Sequence, residues 1–162
     1  MAARVIEAAD LIVTLLADNT SPVAPNAVQR AWTPTLAESP RAVVPRGRQV
    51  YVVPNLFGQA ANLDRETQET SYTFEIHYCE QWCAVGEPPL AWVDELVEYV
   101  HTIFNLLNDD VTRSSAQDGG EYLLGTLRPD TCTIAVLYDP DALREAKTFQ
   151  GYIELVCTEI TG

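Results

Sequence analysis

His77, Cys79 and Cys83 stand within one short stretch, "HYCEQWC", which holds one of the chain's two histidines and two of its four cysteines. These are side chains that bind soft metals or attack carbon. Along an extended strand, residues two apart share a face, so His77 and Cys79 could both reach one zinc ion, with Cys83 just beyond the strand. A closed zinc site takes four ligands and usually a second short-spaced pair, and here the remaining cysteines, Cys132 and Cys157, are isolated. The Cys79–Cys83 spacing is not C-x-x-C, so a thioredoxin-type redox pair is excluded. The plainer reading is a strand whose outer face carries a polar histidine, with cysteines as small apolar fillers.

Other reactive groups are sparse. His101 falls with Glu98 and Asn105 on the polar side of a helical pattern, where a solvated histidine needs no catalytic role. Asp94, Glu95 and Glu98 could pair as acid and base, but a charged outer helix face accounts for them equally. Two histidines and one lysine, Lys147, leave few candidates for general-base or Schiff-base chemistry. There is no G-x-S-x-G and no G-x-x-x-x-G-K-[ST], and "DGG" at Asp118–Gly120 is a lone turn signal. The expectation is a protein that is not an enzyme, with no catalytic residues, no cofactor and no metal.

The elements that would position these groups are legible as periodicities. Val5, Ala9, Ile12 and Leu16 recur at helical spacing and predict a helix over about 3–17. A first strand is predicted at 27–33. "QVYVV" at 49–53 is a second, stopped by Pro54. The stretch 55–70 reads as a long polar loop. "SYTFEIHYCEQW" then alternates, with Tyr72, Phe74, Ile76 and Tyr78 on one face and Thr73, Glu75, His77 and Cys79 on the other. His77, Glu75 and Thr73 are expected to face solvent or a neighbour.

Pro88 and Pro89 announce the clearest helix. Leu90, Val93, Val97, Val100, Phe104 and Leu107 form its predicted buried stripe, widened by Leu96 and Ile103. A second polar loop spans about 108–122. Two strands follow, at 131–139 and 147–160, joined by a turn or one short helix in "PDALREA". The order predicts a single α+β domain over 1–162: a mostly antiparallel sheet of four to five strands with two main helices packed on one face. Two structureless loops of this length are unusual in a small domain and tend to be functional.

Charge narrows the partners. The net charge is −13, unevenly spread: residues 1–60 hold four acids and five arginines, and residues 61–162 hold 19 acids and five basic residues. That argues against tight nucleic-acid binding, which needs cations for phosphates, and against attachment to anionic membranes. It suits a basic patch meeting an acidic patch on a neighbouring subunit. No run approaches a membrane span. Glu7 and Asp10 interrupt the apolar N-terminal stretch, which predicts a helix and not a signal peptide, hence a reducing cytoplasm and free thiols.

Three stretches carry a resemblance to a known family: "RQVYVVPN" (Arg48–Asn55) followed by a polar loop and "SYTFEIHYCEQW"; the helix "WVDELVEYVHTIFNLL"; and the closing "LYDPDALREAKTFQGYIELVCTEI". Together they resemble the tail terminator (tail completion or neck) proteins of tailed bacteriophages. The chain departs from that pattern in "TPTLAESPRAVVPRG" and in the long connector after the second helix. The resemblance implies a structural virion protein. It would form a ring with itself, typically a hexamer, at the head-proximal end of the tail tube, ending tube polymerisation and joining tail to head. Its partners would be the tail tube protein and a head-completion, stopper or connector protein. Genome DNA would pass through without specific binding, no membrane would be involved, and assembly would run in the host cytoplasm. The alternatives are a head-completion or stopper protein, or a small cytosolic metal-binding protein. Interface or lumen candidates are Arg46 and Arg48, the acids Asp64, Glu66 and Glu69, and Trp82 as an aromatic anchor; a solvated loop accounts equally for the acids and a surface edge strand for the arginines.

Overall fold

The computed structural model describes residues 4–19, 28–32, 47–62, 68–108 and 128–161. Helix α1 (Arg4–Asn19) leads into strand β1 (Val28–Arg30). The long strands β2 (Gln49–Asn62) and β3 (Gln68–Gln81) follow, then helix α2 (Leu90–Asn108), strand β4 (Arg128–Val136), the short helix α3 (Pro140–Ala146) and strand β5 (Thr148–Thr161). The five strands make one sheet in the order β1-β2-β3-β5-β4. Only β1 and β2 are parallel; the other three pairings are antiparallel. The class is α+β, as the order of periodicities predicts.

One face of the sheet makes the core. Val50 and Val52 of β2, Tyr72, Phe74, Ile76 and Tyr78 of β3, and Ile153, Leu155 and Cys157 of β5 are buried in a single cluster with residues of both long helices. Strand alternation puts these side chains on the same side, and the register joins them in rows such as Val52–Ile76–Ile153. α1 packs on β1 and β2, and α2 on β4 and β5. The α1 stripe contains Ala8 and Leu15 beside the expected Val5, Ala9, Ile12 and Leu16, a broader face than the minimum.

The α2 stripe is rotated from its expected position. Leu96, Tyr99, Val100, Ile103 and Leu107 are buried, while Val93, Val97 and Phe104 are half-buried at its flank. Leu90, expected inside, is 76% exposed. Apolar residues occur on too wide an arc of this helix for periodicity alone to choose the contact line, and Tyr99, a polar-tipped aromatic, was not counted.

A larger correction concerns 55–70. β2 does not stop at Pro54 but continues to Asn62, and β3 begins at Gln68, so these ends are paired strands and only 63–67 lie outside the described residues. Pro54 is buried opposite Phe74, and the register shifts between Pro54 and Leu56. β1 pairs only with Val50–Val52, so the missing N–H of Pro54 falls at a bulge beyond its reach. β2, β3 and β5 are each 14 residues long, about 46 Å at strand rise. Of the predicted second loop at about 108–122, Asn108 closes α2 and the rest lies outside the described residues.

α3 is set by local chemistry. The Asp139 carboxylate accepts from Asp141 N at 2.9 Å and Ala142 N at 3.3 Å, Pro140 opens the helix, and Lys147 closes it with φ of 51°. The return into β5 is locked by Tyr78. Its hydroxyl shares one hydrogen between Val136 O (2.7 Å) and Leu137 O (2.9 Å). Gly151 lies opposite Tyr78 and must be glycine, because a Cβ there would stand 2.2 Å from Val136 O.

Candidate functional site

The HYCEQWC stretch is the far end of β3, and its residues divide between the two faces of the sheet. On the face away from the core, Tyr51, His77 and Tyr152 lie in register across β2, β3 and β5. His77 stacks on Tyr152 with ring centroids 4.9 Å apart, and its Nε2 lies 3.3 Å from Glu75 Oε1. His77 is only 8% exposed, which corrects the expectation that it faces solvent or a neighbour. Thr73 and Glu75 are half-buried. The reason is that this face carries a second small core of Tyr51, Val53 and Cys79 with Ala31 packed against it. Alternation along β3 alone shows that one face is polar, not whether it is wet.

A metal centre on this stretch finds little support in its chemistry. Burial, and then the neighbouring Glu80 charge, push the metal-free Cys79 thiol up to about 11. Cys83 is exposed beyond the strand, its Sγ donating to Gln81 O at 3.5 Å. Among the described residues no group of three His, Cys, Asp or Glu side chains is placed to hold a metal ion. His101 is exposed on α2.

On the core face, the same end of β3 meets α2 in a mixed aromatic and charged cluster. The helix presents Trp92, Glu95 and Tyr99 at i, i+3 and i+7, one face of the helix. Arg48 Nη2 donates to Glu95 Oε1 at 3.0 Å and lies 3.6 Å from Glu80 Oε2, and its guanidinium sits 4.6 Å from the Tyr99 ring centre. With its side chain 13% exposed, Arg48 is spent largely within the chain. Trp82 lies against Trp92, centroids 5.4 Å apart, and its backbone N–H donates to Lys147 O at 2.8 Å. Arg48 Nε, Glu80 Oε2 and Trp82 Nε1 are buried here without a hydrogen-bond partner. The structure thus brings Arg48 and Trp82 together, as a clamp between sheet end and helix.

The other expected positions are scattered. Arg46, Asp64 and Glu66 lie outside the described residues. Glu69 is half-buried near the start of β3, where Ala61 and Ile160 flank it in the sheet. It therefore belongs to a strand of the long β2–β3 hairpin and not to a loop.

Two features escaped sequence reasoning. The first is an open edge: beyond Val52, β2 has no partner on its outer side among the described residues, from Val53 to Asn62. A buried proline inside a strand was the available signal, since such prolines mark edges and bulges. The second is a broad recess of about 340 Å³ where α2 begins beside α3. Pro88, Val93, Tyr138, Pro140 and Leu143 line it, and Glu87 and Arg144 supply its charges. The apolar Leu90 directly after two prolines was a visible but unread signal.

Among the described residues no helix is long and apolar enough to cross a membrane. No protein-family model matches the chain, and no curated protein matches it.

Proposed function

We propose that this chain is a structural subunit that assembles with copies of itself into a ring, at the head-proximal end of a phage tail tube. In this role it ends tube growth and joins tail to head, meeting the tail tube protein on one side and a stopper or connector protein on the other. The residues that carry the resemblance to tail terminators support the reading: two of the three stretches are long elements of the sheet and the third is α2. The observation that carries it is the outer edge of β2 over Val53–Asn62, which has no partner strand among the described residues. An open edge of that length is a template for a strand from a neighbour, which single-copy proteins normally blunt. A ring of sheets extended in this way gives the long β2–β3–β5 tongue a function that a lone subunit does not need.

The role is mechanical and needs no catalytic residue, cofactor or metal. Genome DNA passes through the ring, and an acidic lumen keeps phosphates sliding. Glu69 on the tongue is a candidate for that lining.

The test is electron microscopy of lysates after deletion of the gene from its source genome. Overlong headless tails of variable length are expected. Normal-length tails beside separate heads would reassign the protein to a joining or stopper role, and intact particles would overturn the virion reading.

A further inference from the structure

The segment Cys83–Ala91 carries a single charged residue, Glu87, and every residue in it except Pro88 is exposed. Val85 is 103% exposed and Leu90 76%. Single exposed apolar residues are ordinary, but contiguous ones rimmed by polar groups mark interaction sites. Tertiary structure brings more apolar surface to the same place. Gln81 and Thr148 are the last pair of β3 with β5, so the segment leaves the sheet at the end where α3 returns to β5. Val136, which closes β4, and Tyr138 are both exposed at this end, where Asp139 N–H donates to Gln150 O at 2.9 Å. Pro88, Val93, Tyr138, Pro140 and Leu143 line the recess of about 340 Å³ between α2 and α3. That volume falls at the lower end of the range of about 300–1,000 Å³ for pockets that take a ligand.

The patch is held in shape. Lys147 Nζ donates to Gly86 O at 3.1 Å, the Trp82 N–H donates to Lys147 O at 2.8 Å, and Pro89 O accepts from Trp92 N at 3.1 Å. A surface fixed before contact loses less entropy on binding. Its rim is acidic. Glu87 borders the recess, Asp94 follows Val93 on α2, and Glu145 follows Arg144 on α3; all three are exposed. Arg144 adds little positive charge, because its Nη2 donates to Asp141 Oδ1. A second copy of the chain is a poor occupant. Through the same end it would set carboxylates against carboxylates, and its Arg30, Arg48 and Arg144 are each held by a carboxylate of their own chain.

We propose that this end of the sheet docks a segment of a different protein, apolar at its centre and flanked by lysine or arginine, with its apolar side chain seated in the recess between α2 and α3. Leu90, Tyr138 and Leu143 supply apolar contact, and the carboxylates of Glu87, Asp94 and Glu145 select the cationic flanks. The inference goes beyond the ring reading, since it concerns a partner other than the chain itself and holds whether or not copies close into a ring.

The experiment selects binders to the full chain from a random dodecapeptide library and then measures the affinity of the selected peptide by fluorescence anisotropy. The selected sequences are expected to share an apolar or aromatic residue flanked by Lys or Arg. Leu90→Ser should weaken binding about tenfold, and Glu87→Lys about as much. Both positions are exposed, so circular dichroism should show the fold unchanged. Glu154→Lys makes the same charge change on the exposed face of β5 away from the core, and should leave the affinity within about twofold. An acidic consensus, or none, overturns the proposal. So does a Leu90→Ser or Glu87→Lys protein that binds like wild type. A Glu154→Lys loss equal to that of Glu87→Lys also overturns it, because attraction would then come from net charge and not from this patch. Self-association in sedimentation that Leu90→Ser abolishes would make a second copy the occupant, and the proposal would fall.

Discussion

Tyr78 and Gly151 fit closely against the backbone at the end of β4. The Tyr78 hydroxyl satisfies two carbonyls at the end of β4, and burial pushes its ionisation well above the usual tyrosine range. Tyr78→Phe should therefore destabilise by about 0.5–1.5 kcal/mol, the net worth of a hydrogen bond at part-buried carbonyls that water can still reach. Gly151→Ala should cost more, since its Cβ meets backbone oxygens that cannot turn aside. Urea midpoints order the two. The buried thiols make a second prediction at this scale. Burial first, then Cys132 and Asp130, push Cys157 up to about 12, and burial first, then Glu80, pushes Cys79 up to about 11, from an ordinary value of 9.0. Above pH 9 the unfolded chain ionises thiols that the folded chain keeps protonated. The native state then binds more protons, and stability falls as pH rises through 9 towards 11–12, while below pH 9 this contribution is complete. The slope of urea midpoint against pH over 8.5–11 should be shallower in Cys157→Ala than in wild type. Equal slopes would mean that Cys157 ionises alike in both states.

At the scale of elements, the sheet has a protected centre and one open side. β3 is paired with β5 along its whole length and with β2 from Gln68 to Cys79, broken by register shifts around Tyr72, so its middle has a partner strand on both sides. Among the described residues β2 from Val53 to Asn62 is paired only with β3, and about half its backbone groups point outward. In the free subunit, hydrogen exchange should be slow throughout the middle of β3 and fast at alternate amides of β2 beyond Val53. On assembly those fast amides should slow. If they remain fast in assembled rings, the open β2 edge takes no part in the contact. The clamp of Arg48, Glu80, Trp82 and Trp92 works at the same scale by fixing α2 across the sheet end. It also holds Arg48 back from a purely intermolecular role.

For the molecule as a whole, the dominant quantity is the net charge of −13. A chain with 10 basic residues against 23 acids should not be retained on duplex DNA even at about 50 mM salt, because it has few cations with which to release counterions. Filter binding or fluorescence anisotropy checks this, and salt-sensitive retention would argue against a lumen that lets DNA slide. Charge is also distributed so that the first 60 residues are nearly neutral and the remainder strongly acidic. Tertiary structure refines that picture, since Arg30 and Arg48 are both engaged by carboxylates of their own chain. What remains for a neighbour is shape and apolar surface as much as net charge.

The sequence by itself determined the class of fold and most elements. Period-2 alternation in 71–82 and helical periodicity over about 3–17 and along Leu90–Leu107 are local signals, and local signals survive without a structure. It also determined the scarcity of catalytic groups, which is composition alone. Tertiary structure decided what depends on which residues meet. Pro54 reads as a stop because strand interiors reject proline, yet the short reach of β1 makes room for it at an edge. His77 reads as outward and is buried, because Tyr51 and Tyr152 come to its flanks only when three strands are in register. Arg48 reads as an interface or edge-strand residue and Trp82 as an anchor for the sheet's end or an interface; that both meet α2 is decided only where distant segments of the chain converge. The recess beside Tyr138 and the open β2 edge left only faint traces in the sequence, Leu90 after two prolines and Pro54 inside a strand. Each is a gap between elements, and gaps exist only once the elements are assembled.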